Sequence, residues 1–174
     1  MAERVRGIWR YRILFVGLAA MVGFVQLLPI NAPADRLPGP DILLLIALSW
    51  TVRRPVFLPV LLVASVFLIA DLLFMRPPGL WTALVILGCE FLRSRRVLLK
   101  NVSFPIEWLL VAGVIGAMTL ANAMILGLFS VPQPTAGLLV IRMLFTVLCY
   151  PLVVILAGRA FGLTASNKEG LGGT

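Results

Sequence analysis

The chain has 174 residues, of which 61% are hydrophobic and only 13% are charged, and its mean hydropathy is +1.06. This composition places it among integral membrane proteins before any motif is considered. The net charge of +8 might suggest a nucleic-acid-binding protein, but the basic residues flank apolar segments instead of forming one patch with aromatic side chains between them. We therefore predict no nucleic-acid partner and expect these residues to face anionic lipid headgroups.

Residue types that support catalysis are scarce. The sequence has no histidine, which removes the commonest general base and metal ligand. Cys89 and Cys149 both fall within apolar segments, and we interpret them as small buried hydrophobic residues. No GxGxxG, P-loop, HExxH or CxxC motif occurs. We predict that the protein is not an enzyme and has no catalytic residues, metal site or cofactor.

The basic residues alternate between the two sides of the apolar segments. Four precede the first segment, two follow the second, four follow the fourth and two follow the last, whereas the intervening connections contain only Arg36 and Arg76. Cytoplasmic loops of membrane proteins are enriched in Lys and Arg, so this alternation predicts six spans with both termini in the cytoplasm. The residues assigned to the cytoplasmic side are Arg4, Arg6, Arg10, Arg12, Arg53, Arg54, Arg93, Arg95, Arg96, Lys100, Arg159 and Lys168.

We predict an all-α bundle of six transmembrane helices over residues 1–161. The spans are expected at 13–28, 42–52, 55–75, 79–92, 104–129 and 135–158. Residues 162–174 are rich in Gly and polar side chains and predict a disordered cytoplasmic tail. The first span resembles a cleaved signal peptide in its basic start and in the Ala32-Pro33-Ala34 that follows it, but five further apolar segments favour an uncleaved helix.

The second segment is the weakest of the six. As a helix it would extend only ~17 Å at ~1.5 Å per residue, and the hydrocarbon core is ~30 Å thick. Extension back to Leu37, with Arg53 and Arg54 reaching outward, narrows the difference. We retain it as a span because without it the charge bias would be reversed for every later segment.

Three polar residues are predicted at membrane depth. Asp71 should lie ~24 Å along the third span from its cytoplasmic end, and Arg142 ~10 Å below the outer end of the sixth. Because an unpaired charge in hydrocarbon costs at least ~2.5–3.5 kcal/mol, we predict that Asp71 and Arg142 pair inside the bundle. Asn122, in the outer half of the fifth span, is expected near them. The alternative is that each charge reaches the outer interface separately.

The other two carboxylates within apolar segments predict structural roles. Glu90 lies three residues before Arg93, the spacing of a helical ion pair. Glu107 lies in the first turn of the fifth span, where a carboxylate complements the helix dipole.

Two features are candidates for contact with other proteins. Gly113, Ala117 and Ala121 recur every fourth residue, which lets a neighbouring helix approach closely. This small-residue ridge would serve either packing inside the bundle or binding of a partner. The basic loop of Arg93, Arg95, Arg96 and Lys100 would contact either cytoplasmic partners or lipid.

Several segments, taken in order, resemble the bacterial rod shape-determining MreD family. They are Pro38-Gly39-Pro40-Asp41 with the second span and Arg54-Pro55, then Leu68-Ile69-Ala70-Asp71-Leu72-Leu73 with Gly79 eight residues after the aspartate, and Tyr150-Pro151-Leu152. Length, six spans and basic cytoplasmic ends agree with the family. The chain departs from it after Asp71, where the family often has Ser-Gly and this sequence has Phe74-Met75-Arg76-Pro77-Pro78.

The resemblance implies a non-enzymatic inner-membrane subunit of the cell-elongation complex that supports peptidoglycan synthesis. Its partners would be MreC, RodA, the actin-like MreB and a class B transpeptidase. The family's fold is thought to be similar to the substrate-binding subunits of energy-coupling-factor transporters. The alternative is therefore the substrate-binding component of a small-molecule transporter.

Overall fold

The structure is a computed structural model that describes residues 2–27, 39–53, 55–97 and 103–161. All regular secondary structure in these ranges is helical. The helices are α1 (Ala2–Leu27), α2 (Ile42–Arg53), a short 3-10 helix (Pro55–Phe57), α3 (Val60–Leu73), α4 (Leu80–Ser94), α5 (Phe104–Leu128) and α6 (Ala136–Phe161).

Three of these helices are long and apolar enough to cross a membrane. They contain the segments Trp9–Leu27, Phe104–Leu128 and Ala136–Arg159. The predicted all-α membrane bundle is thus confirmed, whereas six complete spans remain a prediction because α2, α3 and α4 have only 12, 14 and 15 residues. Arg36, Leu37, Arg54, Lys100 and the predicted tail lie outside the described residues.

The observed helix bounds differ from the predicted spans at the starts of α1 and α3. α1 begins at Ala2, so Arg10 and Arg12 lie within the helix instead of before it. The predicted third span is divided, because the 3-10 helix comes first and α3 begins only after Pro59. Proline is tolerated there since the first helical N–H groups have no partner within the helix.

α2 is the central helix. Nine consecutive residues from Leu43 to Thr51 are buried, so the helix is enclosed on all sides. It packs against α1, α4 and α6, and the further pairs α1–α3, α3–α4, α4–α5 and α5–α6 connect the helices around it in series. The Ser49 and Thr51 hydroxyls donate to Ile46 O and Ala47 O at 3.0 and 2.8 Å, which satisfies these buried groups within the helix itself.

The outside of the bundle is apolar. Leu61, Leu120 and Leu148 are 82%, 62% and 61% exposed. Buried positions, by contrast, include Asp71 and Glu107. The apolar surface on the outer faces of several helices is far larger than a soluble monomer exposes, and it is suited to contact with lipid chains.

The turn between α3 and α4 holds two residues in the left-handed conformation. Arg76 N donates to Asp71 O at 3.0 Å and Met75 N to Leu72 O at 3.3 Å, the hydrogen bonds that close a helix with a left-handed residue. That residue is Met75, with φ 50°, where glycine is usually preferred. Gly79 follows with φ 89° at the start of α4.

We expect Met75→Gly to raise the free energy of unfolding by about 1 kcal/mol, because a left-handed residue with a Cβ costs roughly 1–2 kcal/mol. The side chain is 96% exposed, so its removal loses little packing. Thermal unfolding in detergent measures the effect. Met75→Ala is the matched control, since it shortens the side chain but keeps the Cβ; equal stabilisation by alanine would contradict the backbone explanation.

Candidate functional site

Asp41 is the charged residue directly before α2, and it makes contacts with both α2 and α6. Its Oδ2 accepts from Arg142 Nη2 at 3.2 Å, and its Oδ1 accepts from Leu44 N at 3.1 Å. Its own backbone N–H donates to Thr146 Oγ1 at 3.1 Å. Asp41 therefore caps α2 while joining that helix to α6.

Asp71 belongs to a second cluster, at the start of α4. The carboxylate is fully buried, and its Oδ2 accepts from Gly79 N at 3.2 Å, Thr82 N at 3.1 Å and Thr82 Oγ1 at 2.8 Å. All three donors lie at the N-terminus of α4, so Asp71 joins the end of α3 to the start of α4. The eight-residue spacing from Asp71 to Gly79 thus corresponds to a direct hydrogen bond across the α3–α4 turn.

The predicted Asp71–Arg142 pair is wrong. Arg142 bonds Asp41 instead, and Asp71 is held by α4. Both residues do lie at the same end of the bundle, as the helix rise predicts, but similar depth along two helices does not place two side chains on the same side of the bundle. Arg142 is partly exposed, with 37% of its side chain accessible.

A cavity of about 310 Å³ lies at this end of the bundle. It is bounded by the start of α2, the facing sides of α4, α5 and α6, and the two turns that join α3 to α4 and α5 to α6. Arg142 and Asn122, both predicted site residues, line it, whereas Asp71 does not. Its other polar lining residues are Asp41, Arg76, Thr119, Gln133 and Thr146.

Arg76 contributes a second guanidinium to the cavity. It lies 5.3 Å from the centre of the Phe74 ring and 5.9 Å from that of Trp81. Partial burial lowers the pKa of Arg76 from its ordinary value; Asp41 and Asp71 oppose that effect and Arg142 adds to it. Such a residue stays charged at physiological pH.

The opposite end of the bundle holds a buried ion pair that the sequence did not predict. Glu107 Oε1 accepts from Tyr150 Oη at 2.9 Å and lies 3.4 Å from Arg53 Nη2. These contacts join the end of α2 to α5 and α6. Glu107 does lie in the first turn of α5, as its predicted structural role requires, but its strongest contacts are to side chains of other helices.

The end of α4 carries three residues of the predicted basic loop. Arg93 forms the predicted ion pair with Glu90, and its Nη2 also donates to Leu58 O at 2.7 Å. Arg95 lies over the Phe91 ring at 5.6 Å. Arg96 continues the segment, and contact of this loop with other molecules stays a prediction.

The small-residue ridge faces outward. Gly113 and Ala117 are exposed, and a Cβ added at Gly113 would meet nothing within 4 Å. Gly113, Ala117 and Ala121 line an apolar groove of about 530 Å³ between α4 and α5. The ridge therefore does not pack inside the bundle. Partner binding, the other predicted use of the ridge, stays a prediction.

The floor of this groove is formed where α4 and α5 come closest. A Cβ built on Gly88 would lie 2.7 Å from Met118 Sδ and 3.1 Å from Val114 Cγ1. An alanine here would therefore displace the Met118 side chain and press on Val114, so glycine permits the observed close packing of α4 against α5.

Among the described residues, no group of three or more His, Cys, Asp or Glu side chains is arranged to hold a metal ion. The four carboxylates with described side chains, Asp41, Asp71, Glu90 and Glu107, instead contact arginines, hydroxyls or backbone N–H groups. Comparison of the chain with family models, curated proteins and solved structures finds no match.

The charge contacts predict the outcome of two double-mutant cycles. Asp41→Asn and Arg142→Gln should each lower the free energy of unfolding. The loss in the double variant should be smaller than the sum of the two single losses, with a coupling of ~0.5–3 kcal/mol. Asp71→Asn and Arg142→Gln should be additive within ~0.5 kcal/mol because they share no partner. Unfolding in detergent measures both cycles, and a larger coupling for the second would contradict the observed pairing.

Proposed function

We propose that the chain is a non-enzymatic inner-membrane subunit of the bacterial cell-elongation complex. It would bind MreC and would associate with RodA, MreB and a class B transpeptidase, either directly or through MreC. In this way it would support cell shape and peptidoglycan synthesis. The protein acts in this proposal by holding the membrane-spanning helix of a partner against its own surface.

The resemblance to the MreD family supports this proposal through the residues that carry it. Those residues make the buried polar contacts between helices: Asp71 with Gly79, Asp41 with Arg142 and Tyr150 with Glu107. These contacts give three motif residues, Asp41, Asp71 and Tyr150, a physical reason for their identity. The apolar residues of the same motifs, such as Ile69, Leu72 and Leu152, are exposed and add no such support.

The groove between α4 and α5 is the observation that carries the proposed mode of action. It is apolar, it lies on the outer surface, and small residues on α5 form one side of it. In lipid, helices associate through van der Waals contact and close backbone approach, since the hydrophobic effect does not drive them together. A single helix from a partner satisfies these requirements.

Gly113→Leu and Ala117→Leu should weaken MreC co-purification by about tenfold, equivalent to ~1.4 kcal/mol, because the larger side chain fills the groove. Both positions are exposed, so the monomer should remain folded. Gly137→Leu on α6 is the matched control, since a Cβ there also meets nothing within 4 Å. Unchanged MreC recovery with both groove variants would contradict docking at this surface.

We also propose that both termini lie in the cytoplasm. Arg53 contacts Glu107 in the first turn of α5, and Arg93, at the end of α4, donates to Leu58 O just before α3. Basic side chains from two helices therefore lie at the end of the bundle opposite the cavity. Cytoplasmic ends are where Lys and Arg are enriched.

Cysteine labelling in cells tests this orientation in a background that lacks Cys89 and Cys149. Ser130→Cys, in the α5–α6 turn, should react with a membrane-impermeant reagent from outside, and Ser94→Cys, at the end of α4, only after permeabilisation. Both positions are exposed. Labelling of Ser94→Cys in intact cells would reverse the assigned orientation.

The cavity favours a second candidate function, the substrate-binding component of a small-molecule transporter. Ligand pockets typically have volumes of roughly 300–1,000 Å³ and a few convergent polar groups. Extraction of the native protein in mild detergent discriminates the two. Recovery of an ATP-driven transporter module without MreC would overturn the cell-elongation proposal.

A further inference from the structure

The cavity lined by Arg76 and Arg142 carries an excess of positive charge. Asp41 is its one lining carboxylate in the described part of the chain, and it is already bonded to Arg142 and to Leu44 N. Arg76 makes ring contacts but no ion pair with a described residue. The lining therefore holds two cations against one carboxylate, although the buried carboxylate of Asp71, which does not line the cavity, also acts on Arg76. The Arg76 guanidinium, unpaired among the described residues, makes the cavity suited to an anion.

Donor groups remain available around this charge. A guanidinium has five N–H donors, and Arg142 makes one described side-chain hydrogen bond, to Asp41. Trp81, which also lines the cavity, has a buried Nε1 with no acceptor in the described part of the structure. This nitrogen is one of five buried side-chain atoms without a partner among the described residues, and it is the one that belongs to a residue of the cavity lining. An acceptor bound in the cavity would satisfy it.

Most of the remaining cavity wall is apolar. Leu44, Leu80, Ile115, Leu126, Leu139 and Met143 are among its lining residues. A ligand that fits must therefore combine a compact anionic group, which the arginines bind, with an apolar portion or a small overall size.

We propose that this cavity binds a phosphate group through Arg76 and Arg142, with Trp81 Nε1 as a further donor. Guanidinium groups bind phosphate oxygens through parallel hydrogen bonds, and a phosphate monoester presents three terminal oxygens and up to two negative charges to the two arginines. The phosphate belongs either to a phospholipid headgroup from the bilayer or to a free phosphate ester. This site is separate from the groove between α4 and α5 and does not depend on the proposed function.

The test uses the full-length protein in neutral detergent and three probes. They are a short-chain phosphatidic acid, the diacylglycerol with the same chains, and glycerol 3-phosphate. Native mass spectrometry and thermal unfolding report binding. The variants are Arg76→Gln and Trp81→Phe, with Arg95→Gln as the matched control because Arg95 also lies over an aromatic ring but at the opposite end of the bundle.

Phosphatidic acid should bind wild type and Arg95→Gln equally, and Arg76→Gln at least about tenfold more weakly. Trp81→Phe keeps an aromatic ring for Arg76 but removes the N–H, and should weaken binding several-fold. Binding of glycerol 3-phosphate as well would identify a free phosphate ester as a sufficient ligand, and binding of phosphatidic acid alone would identify a lipid. Equal binding of diacylglycerol, unchanged affinity in both cavity variants, or no binding of either phosphate probe would overturn the proposal.

Discussion

The enclosure of a short helix inside the bundle is the constraint on which the structure depends. α2 has 12 residues and therefore extends ~18 Å at ~1.5 Å per residue, well short of a ~30 Å hydrocarbon core. Both of its ends consequently need polar partners supplied by other helices. Asp41 finds them on α6 in Arg142 and Thr146, and Arg53 finds Glu107 on α5. These contacts fix the position of α2 along the bundle axis, which apolar packing alone would leave free to slide.

The cavity is a consequence of that position. α2 begins opposite residues 142 and 146 of α6, whereas α6 itself begins at Ala136. The surrounding helices therefore extend beyond the start of α2, and the space that a longer central helix would have filled is left open. Asp41, Arg142 and Thr146 make the polar contacts at the start of α2, and the same three residues line the cavity.

Much of the helical framework could be predicted from the sequence. Apolar segments bounded by proline and charged residues gave the positions of α2, α4, α5 and α6 to within a few residues, because the turns are short and chemically distinct. The Glu90–Arg93 pair was also predictable, since residues three apart on a helix necessarily lie on one face.

The lateral arrangement of side chains could not be obtained in this way. Helix rise gives depth but not which face of a helix meets which neighbour, so Arg142 was assigned to Asp71 when Asp41 is its partner. A signal for Asp41 was present: an aspartate directly before an apolar run is a typical N-cap. The ridge on α5 shows the same gap, because every-fourth-residue spacing defines a face of one helix without showing whether that face points inward or outward.

The groove and the cavity lie on two faces of the same helix. Val114 and Met118 of α5 line the groove, and the next residues, Ile115 and Thr119, line the cavity. α5 therefore contributes to the walls of both. On the groove side, the absence of a Cβ at Gly88 of α4 permits close contact with Met118. A partner helix in the groove would contact α5 beside Val114 and Met118, and a phosphate compound in the cavity would contact the same helix beside Ile115 and Thr119.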